Sequence, residues 1–224
     1  MCAYELIRHT SVEQTEDNLS HIGGLPNLPP NQELPKCKLC HSSMTFFFQI
    51  EFPKRHAWTG RVMAVFECTS CAVRGYLTPP MAPNRIHIPD YFLDEYEKNF
   101  CVINFEKKHA VVRREYTPVL KYESIELKLK TASARITKVG GKPNWHIAND
   151  FPESYLGSRF VFLMQIWDDW EFSKTKEAPL QTEYPWLGDP YRRDGKYALF
   201  GGLPLYFFGT LDLEQPKVYL MNQK

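Results

Sequence analysis

Apolar residues in this chain collect in short unbroken runs rather than at helical spacing. Phe46-Phe47-Phe48 leads into Gln49 and Ile50, and Val62 to Phe66 follows. Phe162-Leu163-Met164 leads into Gln165 and Ile166, and Leu205 to Phe208 comes later. Runs of that length, bounded by turn residues, read as strands buried on both faces. Ser124 to Lys130 (SIELKLK) alternates instead, as a half-exposed strand does. Seventeen prolines cut the chain into short segments, which suits strands and loops better than long helices. The best helix candidate is YFLDEYEKNF, Tyr91 to Phe100, behind Pro89 and with Asp90 placed to cap it.

The runs belong to a repeated unit. Ile22 to Asn27 and Val139 to Asn144 both read apolar-Gly-Gly-x-Pro-Asn. From the first glycine to the glutamine of the following run is 26 residues in one copy (Gly23 to Gln49) and 25 in the other (Gly140 to Gln165). Gly23-Gly24 and Gly140-Gly141 permit a sharp turn, and Pro26 and Pro143 then fix φ and stop strand pairing. A glutamine in a buried strand must find partners or cost about 1–3 kcal/mol. Gln49 and Gln165 are therefore expected to satisfy backbone groups of a Gly-Gly turn; the alternative is a strand end facing water. The expected fold is α+β and β-rich, with mostly antiparallel sheets from an internal duplication. Residues 1–115 form the first repeat and 116–224 the second, packed as one unit.

The copies differ in what fills the interval. The first carries Cys37, Cys40 and His41, and its second apolar strand runs into Cys68 and Cys71, with 27 residues between the two CxxC pairs. Two such turns can point four thiolates at one tetrahedral zinc in a zinc-ribbon-like arrangement, the spacer being long enough for two strands and a connection. CxxCH is also the attachment string of a c-type haem, and CxxC pairs can be redox thiols or disulfides. Haem leaves Cys68 and Cys71 unexplained, and disulfides suit an oxidising compartment. Zinc on four thiolates is the reading that uses every member, with His41 as a neighbour or a substitute ligand. Such a closed site is structural and leaves no open position for substrate.

Composition narrows the role. A net charge of +1 lacks the basic excess of a nucleic-acid binder. No run reaches the length of a spanning helix, no polybasic anchor stands out, and the N-terminus lacks a signal-peptide pattern. The expected compartment is the cytoplasm. Asp168, Asp169 and Glu171 could do acid–base work, but no nucleophile–base set accompanies them. The balance favours a protein that is not an enzyme.

The first half, GGLPNLP then CKLC then FFFQIEFP then RVMAVFECTSC, resembles the YwqG-like proteins and their eukaryotic relatives, the programmed-cell-death-protein-two group. The ending YFFGTLDLEQPKVYLMNQ is similar to their closing strand; Leu28 stands where the family often has Trp, which the second copy does carry as Trp145. The resemblance implies a duplicated β fold and binding rather than chemistry. Its eukaryotic branch implies an escort for a nascent basic, ribosomal protein, and its bacterial branch implies immunity to, or handling of, a toxin. The expected partner is one polypeptide, with Trp145, Trp167, Trp170 and Trp186 as candidate anchors beside Asp168 and Asp169.

Overall fold

Strands account for nearly all the regular structure. In this computed structural model the described residues are 2–71, 79, 81–82, 87–130, 136–147, 149–167, 170–183, 191–193 and 195–223, excluding the side chains of 183 and 191–193. Eleven strands form the main sheet: β1 (Ala3–His9), β2 (His21–Ile22), β3 (Thr45–Glu51), β4 (Arg61–Glu67), β5 (Phe100–Glu106), β6 (Glu123–Lys130), β7 (Lys138–Gly140), β8 (Ser154–Tyr155), β9 (Ser158–Ile166), β10 (Leu205–Thr210) and β11 (Val218–Asn222). Their order is β11-β10-β9-β7-β1-β6-β2-β3-β4-β5, with β8 beside β9. All the pairs are antiparallel.

The apolar runs seen in the sequence are β3, β4, β9 and β10. They lack alternation because the sheet is covered on both sides. Met63 and Val65 of β4 face the main core, while Val62, Ala64 and Phe66 face a second, smaller core. That smaller core includes Cys37, Cys68, Met44 and Tyr116. In β3 the register against β4 shifts between Phe46 and Phe48, a bulge that lets both Phe47 and Phe48 enter the main core. The register of β9 against β10 shifts between Phe162 and Met164, at the same distance before its glutamine.

The sheet curls until its ends nearly meet. Asn104 of β5 donates through Nδ2 to Pro216 O just before β11, at 3.3 Å. Tyr96 and Phe92 pack their rings against Tyr219 of β11. Trp58, fully buried, donates its indole N–H to Thr210 O at 3.0 Å and lies directly against Gly209.

The α component of the expected class is absent among the described residues, whose helical elements are short 3-10 turns. In the segment read as a helix, only Phe92–Asp94 forms such a turn, and Asp90 makes no cap: its carbonyl accepts from the Tyr155 hydroxyl instead. Ten residues cannot hold a helix on their own. Here burial of Leu93, Tyr96 and Phe100 against the sheet decides the path of the backbone. The boundary drawn near residue 115 falls between β5 and β6, and strands from both sides of it share the one sheet.

Candidate metal centre

Cys37 and Cys40 lie on the turn before β3, and Cys68 and Cys71 follow β4. Because β3 and β4 pair with Thr45 opposite Glu67, their outer ends bring the two turns together. The sulfurs of Cys37, Cys40, Cys68 and Cys71 all lie within 4.8 Å of one another, and Cys40 Sγ is 3.5 Å from Cys68 Sγ. Four sulfurs about 2.3 Å from a tetrahedral ion would stand about 3.8 Å apart, so this donor set fits a metal. His41 is not in the group.

Backbone geometry prepares both turns for thiolates. Cys37 N–H donates to Ser42 O at 2.9 Å and His41 N–H to Cys37 O at 2.8 Å, closing the first turn. His41 takes the left-handed conformation there, at φ 61°. The Ser42 N–H reaches Cys40, and the Ser70 N–H reaches Cys68. Against the opposing effect of burial, the Ser42 backbone and hydroxyl together with the neighbouring thiols pull Cys40 down to about 7. Burial pushes the Cys68 thiol up, and crowding by Cys40 and Cys37 adds to it. A divalent cation between the sulfurs would remove that penalty by matching their charge.

The loop before β5 ties the turns to each other: Lys38 N–H donates to Lys98 O at 2.8 Å and Cys68 N–H to Asn99 O at 2.7 Å. Nothing in the sequence singles out these contacts, because the acceptors are main-chain carbonyls.

The two Gly-Gly turns share one bonding pattern. Gln49, fully buried, accepts at Oε1 from Asn27 N–H at 2.9 Å and donates through Nε2 to Leu19 O at 3.2 Å. Gln165, equally buried, accepts from Asn144 N–H at 2.8 Å and donates to Ile136 O at 2.8 Å. Each glutamine thus clamps the two ends of the turn in its own half, and Pro26 and Pro143 precede the asparagines. Gly23, Gly24, Gly140 and Gly141 all have positive φ. A Cβ on Gly23 would sit 2.4 Å from Lys121 O, and one on Gly140 would sit 2.7 Å from Cys2 O.

Sequence reasoning passed over the residues opposite the glutamines, His21 and Lys138. His21 Nδ1 lies 2.9 Å from Gly23 O and its Nε2 3.3 Å from Asn27 Oδ1. Lys138 reaches the equivalent Asn144 Oδ1. Burial pushes His21 down to about 4, so the ring is neutral. The two side chains differ in type, and that hid their shared position.

Trp145 stacks on Phe208 and leans on Tyr206, half-buried. Trp167 meets His146 edge-on, and its backbone N–H donates to Thr137 Oγ1 at 2.9 Å. Trp170 is buried against Phe48 and Phe172, with the Arg8 guanidinium over its ring. Trp186, Asp168 and Asp169 lie outside the described residues. Glu171 pairs with Lys196 at 3.3 Å.

Beside the sulfurs opens a cleft of about 340 Å³. Its lining includes Met44, Thr45, Thr69, Ser70, Tyr116 and Ala178. The Thr45 and Thr69 hydroxyls bond each other at 2.9 Å, and the Tyr116 hydroxyl accepts from Phe46 N–H at 2.8 Å. No helix among the described residues is long and apolar enough to cross a membrane. No family model matches the chain, and no curated protein matches it.

Proposed function

We propose that this chain is a cytosolic, non-enzymatic polypeptide-binding module of YwqG-like type, built by internal duplication and fastened in its first half by structural zinc. The observation that carries the reading is the position of the cleft. Two stretches of its lining sit at the four-cysteine cluster: Met44–Thr45 lead from Cys37 and Cys40 into β3, and Thr69–Ser70 are the two residues between Cys68 and Cys71. A metal holding the cysteines would therefore set the width of the cleft. Its lining mixes apolar side chains with hydroxyls, as suits an extended peptide segment whose backbone needs partners. Zinc is the preferred ion because a closed set of four thiolates is its usual structural shell. In a bacterial setting the captured polypeptide is a cognate toxin.

A second reading is an escort for a nascent basic protein. It is favoured by the acidic lining, where the charged residues among those described are Glu115, already paired with Arg113, and Glu177.

Pull-down with tagged full-length protein, followed by mass spectrometry, tests both. The proposal expects one dominant polypeptide in near-stoichiometric yield, lost when Cys68→Ser or a chelator opens the cluster. A toxin supports the first reading and a basic ribosomal protein the second. Capture of a single partner that is indifferent to both treatments would refute the role given to the cleft, and turnover of a small molecule would refute the non-enzymatic role.

A further inference from the structure

Strand order and register carry a conclusion that goes beyond the binding role. Divide the chain between β5 and β6. The first part then holds β1 to β5 and the second β6 to β11. Within the first part β2, β3, β4 and β5 are neighbours in the sheet, and within the second β7, β9, β10 and β11 are. The leading strands behave otherwise. Among the described residues β1 pairs only with β6 and β7, both from the second part. Among the same described residues β6 pairs only with β1 and β2, both from the first. We infer that each half is completed by the first strand of the other, so the chain is a covalently joined, strand-exchanged pair of half-units. Each half is a surface whose fitting partner is a second copy of such a half.

The registers support this independently of sequence similarity. His21, opposite Gln49, has Ser124 of β6 on its other side. Lys138, opposite Gln165, has Glu5 of β1 on its other side. Ser124 and Glu5 are therefore equivalent. Two residues further along each strand come Glu126 and Ile7, and these stand opposite one another in the β1–β6 ladder. An approximate two-fold axis must run through a directly opposed pair or between two of them, and this one falls on Ile7–Glu126, near the middle of the ladder. The close approaches at the turns cross between halves in the same sense. Gly23 of the first half abuts Lys121 O, on the entry to β6, and Gly24 N–H donates to Leu120 O at 3.1 Å. Gly140 of the second half abuts Cys2 O, on the entry to β1.

The consequence concerns association. Among the described residues β1 and β6 make no sheet pairing within their own halves, so neither half has a complete sheet without the other. A polypeptide holding one half has to pair with another copy to satisfy its leading strand. The inference rests on the duplication proposed above and is separate from what the cleft binds.

The experiment uses the full-length chain with a protease recognition sequence inserted after Thr117. That residue is exposed and follows Tyr116, whose contact with Phe46 still belongs to the first half. Cleavage of the folded protein is expected to leave both fragments in one particle of unchanged size, separating only in denaturant. Hydrogen exchange on the intact chain supplies the second measurement. Gly140→Ala is expected to speed exchange at Ala3–Glu5, in the first half, at least tenfold. Gly23→Ala is expected to do the same at the start of β6, in the second. Fragments that part in native buffer as folded halves would overturn the exchange. So would protection lost only within the half that carries the substitution. Superposable halves that separate would keep the duplication and remove the exchange.

Discussion

Replacing Gln49 with leucine tests the turn clamp quantitatively. The side chain is fully buried, so the substitution keeps shape and volume nearly constant while removing one acceptor and one donor. Asn27 N–H, 2.9 Å from Oε1 in a buried site, and Leu19 O, 3.2 Å from Nε2 in a half-buried one, lose these partners. Each stranded group costs about 1–3 kcal/mol, for a gross loss of about 2–6. The leucine recovers some of this through the apolar surface it buries, up to about 1.5–3 kcal/mol. The net expectation, taking the middle of both ranges, is a loss of about 2 kcal/mol. Urea denaturation followed by tryptophan fluorescence measures it. With a slope of about 2–3 kcal/mol/M, the midpoint should fall by about 1 M and the slope should hold. Gln165→Leu strands Asn144 N–H and Ile136 O in the same way and should lose a similar amount. A midpoint shift under about 0.2 M in either variant would refute the clamp, because the turn would then be satisfied by other means.

Other outcomes follow from the same contacts. His21 and His56 are both pushed down to about 4, mainly by burial, so the unfolded chain binds protons that the folded one does not. Their contribution is intact above about pH 6.5 and is lost as pH falls toward 4, roughly 3 kcal/mol for each, and His21→Gln should flatten the stability–pH curve in that window. Gly209→Ala puts a Cβ 2.2 Å from Trp58 Cζ2 and should cost about 1–3 kcal/mol or more, with partial recovery in the double variant that adds Trp58→Phe, read by thermal melts. His41→Gly should retain one metal per chain and raise stability by up to about 1 kcal/mol, since it relieves a left-handed residue without removing a sulfur; loss of metal in that variant would make His41 a ligand.

The sequence carried the parts of this fold that depend on local pattern. β3, β4, β9 and β10 were visible because strands buried on both faces are written as unbroken apolar runs. The two CxxC pairs were visible because thiolate turns have a fixed spacing, although their meeting depends on the β3–β4 register. The Gly-Gly turns and their glutamines were visible because only a few residue types can make a left-handed turn or occupy a buried polar position. The place of β1 was not legible. Its seven residues alternate no better than a surface segment, and their central position comes from pairing with strands more than a hundred residues away. The aromatic segment around Tyr96 misled because capping residues at its start outweighed, on paper, the contacts with Tyr219 that fix its path. Lys98 and Asn99 act through main-chain carbonyls, which any residue could have supplied.

A metal on the four sulfurs would join the start of β3 to the end of β4 beside the cleft. X-ray absorption at the zinc edge, on protein purified without chelator, tests it most directly. The predicted result is one zinc per chain with a shell of four sulfur scatterers at about 2.3 Å. A shell containing nitrogen or oxygen ligands, or protein that folds with no bound metal, would contradict it.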